Sequence, residues 1–385
     1  ALQGLGPNVV VVTSWDLLAR HERLAKWTDG EGEGRAWPTV VLDEAHAMKN
    51  AATRRAQAAR ALEADFVLAL TGTPVENRPY ELWSLFSVVA PGLLGSLETF
   101  REGFGRDIDA RTPEAAKRLS RLIRPFLLRR TKAEVAPDLP PKTEVRVDVM
   151  LTEDERERYQ RVRMAAIKEL DDLGPEAIQG QTGLIRVLAV LTRLRQLACH
   201  PRLVDPKAPA KSSKIERLVE LAEELRGEGR KMLVFSQFTE LLGLVRQAFT
   251  EAKLSYAYLD GSTPGEERVR QVDTFQSGEV DAFLLSLKAG GVGLNLTTAT
   301  EVIHLDPWWN PAVEDQASDR AHRIGQDKPV TVYRMVANGT IEEQILGLHA
   351  DKREMVSGLL AGTDSARPLA AADMAALLSG DGGED

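Results

Sequence analysis

Short, uniformly apolar segments alternate with longer stretches of helical periodicity along most of this chain. These segments fall at 9–13, 39–43 and 66–70 in a first block, and at 231–235, 256–260, 282–287, 302–306 and 330–336 in a second. Strands that are apolar on both sides are typical of parallel sheets covered by helices on both faces. The pattern predicts an α/β fold with three strands in the first block and five in a complete second block.

The region between the two blocks has a different pattern. Residues 76–130 and 151–200 carry apolar side chains at helical spacing, for example Leu184, Val187, Leu188, Leu191, Leu194 and Leu197. Proline-containing segments at 138–142 and 205–213 interrupt this pattern, and we expect the second to act as a hinge. We therefore predict that residues 76–211 form a helical insertion or linker that belongs to neither sheet.

Composition narrows the class of protein further. The 385 residues are 43% hydrophobic and 28% charged, as in globular domains, and contain a single cysteine, Cys199, which can form no internal disulfide. Because no run of about 18 uncharged apolar residues occurs, we expect a cytoplasmic protein without a membrane partner. The net charge is −8. Residues 361–385 carry five acidic residues and one arginine, so they account for half of this net charge. Net charge therefore does not exclude a local nucleic-acid site.

Two carboxylates end the apolar segment at 39–43, in the sequence Asp-Glu-Ala-His at 43–46. Parallel sheets bind their ligands at the carboxyl ends of strands. Asp43 could hold Mg²⁺ there while Glu44 orients or deprotonates an attacking water. The alternative is a helix start, with Asp43 as the cap and Glu44 near the positive end of the helix dipole.

A polar turn, Thr-Gly-Thr-Pro at 71–74, ends the next apolar segment at the same predicted edge. The hydroxyl groups of Thr71 and Thr73 could couple a bound nucleotide to nucleic acid. The alternative is an ordinary turn from strand to helix, in which glycine, threonine and proline are common for backbone reasons.

The second block has two features of its own. Three glycines lie within four residues at 290–293 and would let a ligand approach the backbone closely. Arg320 and Arg323 are three residues apart, so on a helix they would share one face and could together stabilise a transferring γ-phosphoryl group. The alternative is a surface helix in which Asp319 and Arg323 form an ion pair.

Five segments together carry a resemblance to a known family. They read Asp-Glu-Ala-His at 43–46, Leu-Thr-Gly-Thr-Pro at 70–74, Pro-Phe-Leu-Leu-Arg-Arg-Thr-Lys at 125–132, Leu-Asp-Pro-Trp-Trp-Asn-Pro at 305–311 and Asp-Arg-Ala-His-Arg-Ile-Gly-Gln at 319–326. From Val9 to about Leu360 the chain resembles the Swi/Snf-type DNA-translocating ATPases of helicase superfamily two, and it looks like a bacterial member.

The resemblance implies two RecA-like lobes with parallel sheets, the first incomplete, joined by helical insertions. The expected divisions are a partial lobe 1 at 1–75, the linker at 76–211, lobe 2 at 212–345, and a helical brace with an acidic tail at 346–385. The implied cofactors are ATP and Mg²⁺, and the implied partner is the phosphate backbone of double-stranded DNA, bound irrespective of sequence. A DNA-bound protein as remodelling target and association with the nucleoid are further expectations.

The resemblance also implies roles for individual residues. Asp43 would bind Mg²⁺ and nucleotide, Glu44 would activate water, and Arg320 and Arg323 would be catalytic arginines. Nucleotide-binding positions would be Gly293, Asn295 and Gln326. The segment at 13–15, including Trp15, matches DNA-facing positions, and the full set of implied DNA contacts is Thr13, Ser14, Thr71, Thr73, Arg129, Arg130, Ser236, Gln237, Ser286, Lys288, Trp308 and Trp309. Packing between domains is the alternative for the tryptophan pair.

A phosphate-binding loop of the form Gly-x-x-x-x-Gly-Lys-Ser/Thr would complete such a motor, yet the chain contains no Gly-Lys dipeptide. In the family this loop precedes the segment that matches 11–16. We therefore expect an N-terminally truncated chain that hydrolyses ATP negligibly by itself. Two other functions remain open, namely a catalytically inactive nucleic-acid-binding scaffold and a strand-separating helicase of the same superfamily.

Overall fold

A computed structural model describes residues 9–21, 24–25, 27–28, 34–72, 80–105, 113–173, 181–290 and 293–349. The described residues divide between Leu128 and Arg129 into two compact units. Each unit has its own parallel strands and its own hydrophobic core. Within the described residues no helix is long and apolar enough to cross a membrane.

Four strands lie among the described residues of the first unit. Strands β1 (Trp27–Thr28) and β2 (Gly34–Arg35) form a short antiparallel ribbon, whereas β3 (Trp37–Leu42) and β4 (Ala64–Ala69) pair in parallel. The α-helices of this unit are Trp15–Arg20, Arg54–Arg60, Tyr80–Val89, Leu97–Phe100 and Pro113–Ile123, with short 3₁₀ or π turns at Ala45–Met48, Arg101–Gly105 and Arg124–Phe126.

Two sequence predictions for the first unit are wrong. Residues 9–13 form no strand, and Val10 and Val12 are 85% and 90% exposed. Strands β3 and β4 are not covered on both sides, since Val41, Phe66 and Leu68 are exposed. The reason is that an apolar run becomes a buried strand only when neighbours pair with it and cover it. Among the described residues, β3 and β4 pair only with each other.

The second unit is built on a parallel sheet of six strands in the order β5-β10-β9-β6-β8-β7. The strands are β5 (Lys142–Val149), β6 (Met232–Ser236), β7 (Tyr256–Leu259), β8 (Ala282–Ser286), β9 (Glu301–His304) and β10 (Val330–Ala337). The five strands predicted for the second block are confirmed, with bounds that shift by at most two residues. The predicted α/β class with parallel sheets is also confirmed.

Strand β5 contradicts one prediction for this unit, because its residues were expected to belong to the helical linker at 76–211. Its valines alternate with polar residues, at Val145, Val147 and Val149. Only the last two are buried, as expected for an edge strand with one side toward solvent. A search for uniformly apolar runs therefore misses an edge strand of this kind.

Helices cover both faces of the six-stranded sheet, as a doubly wound fold requires. One face packs against the helices Ser213–Gly227 and Thr239–Glu251, and the other against Gly265–Gln276 and Pro311–Ser318. The remaining helices are Lys132–Val135, Glu153–Leu173, Gln181–Cys199, the short turns Pro201–Leu203 and Leu287–Gly290, and residues 341–349. A separate cluster that includes Leu191, Leu194 and Ile345 joins Gln181–Cys199 to the helix at 341–349.

Candidate functional site

The two acids predicted from the sequence lie where β3 ends in the first unit. The amide of Leu70 donates to the oxygen of Leu42 at 2.8 Å, and the amide of Ala45 donates to the oxygen of Leu70 at 2.9 Å. These bonds hold the end of β4 beside the turn after β3. Asp43, Glu44 and Thr71 therefore share one edge of the strand pair, and Thr73 lies outside the described residues.

Glu44 adopts a left-handed backbone conformation, with φ of 48° and ψ of 48°. For a residue other than glycine this conformation costs on the order of 1 kcal/mol, and such strain is found preferentially at functional sites. The amide of Glu44 donates to Oδ1 of Asp43 at 2.9 Å, and Oε2 of Glu44 lies 3.2 Å from Nδ1 of His46. A short 3₁₀ turn, Ala45–Met48, begins here as the alternative held, but its N-cap is Glu44, which makes no side-chain capping bond, and not Asp43.

The helix Trp15–Arg20 lies beside this acidic turn. The indole N–H of Trp15 donates to the backbone oxygen of Asp43 at 2.9 Å. Oγ of Ser14 accepts the amide of Leu17 at 3.2 Å and caps the helix, while Thr13 is exposed before it. Of the segment 13–15, Trp15 is thus the residue that contacts the acidic turn, and Ser14 caps the helix that carries it.

Asp43 has the features of a magnesium ligand. Its carboxylate is exposed at a strand end, and carboxylate oxygen is the donor that Mg²⁺ prefers. The described residues contain no group of three or more histidine, cysteine or acidic side chains placed to hold a metal.

A buried polar network joins the carboxyl ends of β6 and β9 in the second unit. Oγ of Ser236 donates to Oδ1 of Asp306 at 2.6 Å, and the amide of Gln237 donates to the same oxygen at 3.3 Å. Nη2 of Arg195 lies 3.3 Å from Oδ2 of Asp306 and donates to the oxygen of Pro307 at 2.7 Å. Burial raises the pKa of Asp306, and the Arg195 guanidinium acts in the opposite direction.

Arg195 is the residue in this network that sequence reasoning missed. Its side chain is 2% exposed, and its guanidinium carbon lies 5.2 Å from the ring centre of Trp308, with Phe238 and Trp309 each at 5.5 Å. Such cation–π contacts are stronger when water is excluded. The only sign of this role in the sequence is that Arg195 lies on the apolar face of the helix Gln181–Cys199. Trp308 and Trp309 therefore pack within their own unit, and their contact with DNA stays a prediction.

The predicted residues after β8 are divided between buried and exposed positions. Ser286 is buried, and its Oγ accepts the amide of Ala289 at 3.2 Å, whereas Lys288 is exposed. Gly293 has a φ of +44° and is exposed, as is Asn295.

Arg129 and Arg130 are also exposed, at the start of the second unit.

The premise that Arg320 and Arg323 share a helical face is wrong. The helix Pro311–Ser318 ends before them, and residues 319–325 form a series of turns. Arg320 is 7% exposed while Arg323 is exposed, so the two guanidinium groups have different surroundings. Local backbone bonds form these turns, and the oxygen of Arg320 also accepts the amide of Leu296 at 3.0 Å, which joins the turns to the segment before β9.

Gln326 and Asp319 bind other parts of the second unit. Nε2 of Gln326 donates to the backbone oxygens of Thr297, Ala299 and Ala321 at 2.9 to 3.1 Å, so this side chain fixes the loop before β9. Asp319 pairs with Lys132 at 2.6 Å, not with Arg323 as the alternative held. The nucleotide contact implied for Gln326 remains a prediction.

A second buried charge pair, Lys214 and Glu342, contacts the backbone next to Asp306. Nζ of Lys214 donates to Oε1 of Glu342 at 2.6 Å and to the oxygen of Leu305 at 2.9 Å, and both side chains are buried. Burial lowers the pKa of Lys214, but the groups around it, with Glu342 first among them and Cys199 and Asp306 adding to it, together raise the pKa above its ordinary value. The pair joins the helix Ser213–Gly227 to the helix at 341–349.

Replacing Glu342 with Ala is expected to destabilise the second unit by about 3–5 kcal/mol, because Lys214 would stay buried without a counter-charge. Urea unfolding followed by circular dichroism measures this change. The control is Glu220→Ala, which removes an exposed partner of Arg217 on the same helix as Lys214 and should leave the midpoint nearly unchanged. Equal midpoints for the two variants would contradict the expectation.

Comparison with protein families decides the identity of the chain. A family model described as the SNF2-related domain matches residues 5–203, which is more than half of the chain. A second, described as the helicase conserved C-terminal domain, matches residues 213–325. The chain belongs to the SNF2 family. The resemblance deduced from the sequence motifs is thereby confirmed.

Individual SNF2-family proteins are similar over most of the chain. The Bacillus subtilis (strain 168) protein YwqA, named as a candidate ATP-dependent helicase/translocase, is 39% identical over 349 residues, covering 87% of the chain and 36% of YwqA. The mouse SWI/SNF-related matrix-associated actin-dependent regulator of chromatin subfamily A member 1 is 35% identical over 350 residues. The match covers 88% of the chain and 32% of the mouse protein. The chain thus spans about a third of the length of these relatives.

A solved SNF2 structure shows the same architecture. It is the Sulfolobus solfataricus SWI2/SNF2 ATPase core in complex with double-stranded DNA. It is 34% identical to this chain, with a TM-score of 0.50, and the match covers 91% of this chain and 73% of that one. The match supports the assignment of an SNF2 ATPase core to this chain.

Proposed function

We propose that the protein containing this chain hydrolyses ATP in response to duplex DNA and uses the energy to translocate along it, remodelling protein–DNA complexes without separating the strands. The observation that carries the proposal is the acidic turn of an SNF2-family chain. There Glu44 is held in a strained left-handed conformation next to an exposed Asp43 at a strand end. Exposed acids at this edge are suited to phosphoryl transfer.

The residues of the two units supply different parts of the chemistry. Bound Mg²⁺ would neutralise charge on the phosphates, and Asp43 would hold it. Glu44 would orient the attacking water and accept its proton on a carboxylate oxygen. Arg320 and Arg323 would donate to the γ-phosphoryl oxygens, and Gly293, Asn295 and Gln326 would border the nucleotide.

The residues proposed to face DNA fall into groups according to how exposed their side chains are. Thr13, Arg129, Arg130 and Lys288 are exposed and are proposed to meet backbone phosphates directly, irrespective of sequence. Ser236 and Ser286 are buried and bonded within the second unit, so we propose that they shape the loops that carry the contacts. The exposed parts of Ser14, Thr71, Gln237, Trp308 and Trp309, together with Thr73, complete the proposed DNA-facing set.

The 385 residues alone are expected to hydrolyse ATP negligibly with or without DNA, because they contain no Gly-Lys of a phosphate-binding loop. Release of inorganic phosphate measures this. Robust turnover by these 385 residues would overturn this expectation.

We also propose lobe divisions at 1–75 and 212–345, with β5 added to the second sheet, and a location in the cytoplasm with the nucleoid.

Displacement of a third DNA strand from a triplex tests translocation by the whole protein. A motor that tracks along duplex DNA removes the third strand when ATP is present and leaves the duplex intact. A strand-separating helicase would instead unwind a partial duplex. A scaffold would bind DNA with a strong dependence on salt, yet displace nothing. Either of the last two results would overturn the proposal.

A further inference from the structure

Trp15 contacts the acidic turn without belonging to it. Its ring is half-buried and packs against the core that contains Leu42, Ala45 and Met48. Its indole N–H points at the backbone oxygen of Asp43, 2.9 Å away. The only polar atom of this side chain is therefore directed at the residue that follows β3.

The oxygen that Trp15 binds belongs to the peptide group that joins Asp43 to Glu44. A peptide group is planar, so its C=O and N–H turn together. Trp15 donates to the C=O, and Oδ1 of Asp43 accepts the N–H at 2.9 Å. The next peptide group, between Glu44 and Ala45, is held by the amide of Ala45, which donates to the oxygen of Leu70 at 2.9 Å. With the peptide groups on both sides of Glu44 held, its φ stays at the left-handed value of 48°.

The helix that carries Trp15 is itself anchored. Ser14 caps it, and Oδ1 of Asp16 accepts two hydrogen bonds from Arg55, from Nη2 at 2.8 Å and from Nε at 3.1 Å. Arg55 belongs to the helix Arg54–Arg60, which packs in the same core. These contacts hold the helix that carries the indole donor beside the acidic turn.

We propose that Trp15 is a positioning residue for ATP hydrolysis, whose indole N–H holds the Asp43–Glu44 peptide so that both carboxylates leave the turn in fixed directions. The inference rests on the proposed ATPase function. Left-handed conformations are disfavoured for residues with a β-carbon. Without the indole donor, the peptide can rotate and Glu44 can relax toward the right-handed region, away from the attacking water.

The test compares Trp15→Phe with Trp83→Phe in the whole protein. Both changes keep an aromatic ring and remove an indole N–H that donates to a backbone oxygen, and Trp83 binds Gly95 at 3.0 Å elsewhere in the first unit. We expect Trp15→Phe to lower kcat by about tenfold with the KM for ATP within about twofold, since small misplacements of catalytic groups have effects of this order. Trp83→Phe should keep kcat.

Hydrogen exchange of the peptide that covers residues 43–49 provides a readout independent of turnover. Amides in this turn donate to Leu70, Glu44 and His46, so a loosened turn exchanges faster. Faster exchange together with a lower kcat in Trp15→Phe alone supports the proposal. Values of kcat or of exchange equal to those of Trp83→Phe overturn it. If the wild-type protein hydrolyses no ATP, the proposed function fails, and the exchange comparison still decides whether Trp15 anchors the turn.

Discussion

Replacing Glu44 with Gln is expected to lower DNA-stimulated ATP turnover by the whole protein by about 10²- to 10⁴-fold, the range that general-base catalysis contributes. The amide keeps the size of the side chain but can no longer accept a proton from water. Binding of ATP and of duplex DNA should persist, because Asp43 and the exposed basic residues are unchanged. Steady-state phosphate release, with binding measured separately, separates these effects.

The matched control for this change is Glu98→Gln, since Glu98 is exposed in the first unit on the helix Leu97–Phe100. Its turnover should equal that of the wild-type protein. If Glu44→Gln kept a turnover within a few-fold of wild type, Glu44 would not be the base and the acidic turn would have a structural role only.

Replacing Arg323 with Ala is expected to lower the stimulated kcat by about 10³-fold or more, as loss of an arginine that stabilises the transferring phosphoryl group does. Arg323 is exposed, so the stability of the second unit should not change. Arg320→Ala should have a similar effect on kcat with some loss of stability, because Arg320 is buried. Stopped-flow phosphate release and thermal unfolding measure both quantities.

Arg156→Ala controls for loss of an exposed arginine, because Arg156 lies on the helix Glu153–Leu173 and pairs with the exposed Glu153 at 3.3 Å. This variant should hydrolyse ATP at the wild-type rate. A normal kcat in both Arg320→Ala and Arg323→Ala would remove the second unit from the catalytic step. A defect in one alone would assign the role to that arginine.

The sequence was most informative where periodicity and burial agree. The interior strands of the second sheet are apolar on both sides, and their apolar runs located them to within two residues. Edge strand β5 alternates and was missed, and residues 9–13 are apolar but have no strand beside them among the described residues. Local patterns report the tendency to be buried, whereas neighbours decide whether a strand forms.

The candidate site was predictable only in part. The positions of Asp43, Glu44 and Thr71 at one edge follow from the parallel strands that precede them. The left-handed conformation of Glu44 depends on its contacts and has no marker in the sequence. Likewise, Arg195 meets Asp306 across 111 positions of sequence, so only folding reveals the pair. The helix ends before Arg320 and Arg323, and the oxygen of Arg320 bonds to the distant amide of Leu296, which helical spacing cannot anticipate.

The most direct measurement of the central claim is ATP turnover by the whole protein with and without duplex DNA, at fixed Mg²⁺ and salt. If this chain contributes the acids and arginines of a DNA-driven motor, duplex DNA should raise turnover many-fold, and the increase should vanish in Glu44→Gln. Turnover that ignores DNA, or that survives in Glu44→Gln, would contradict the account.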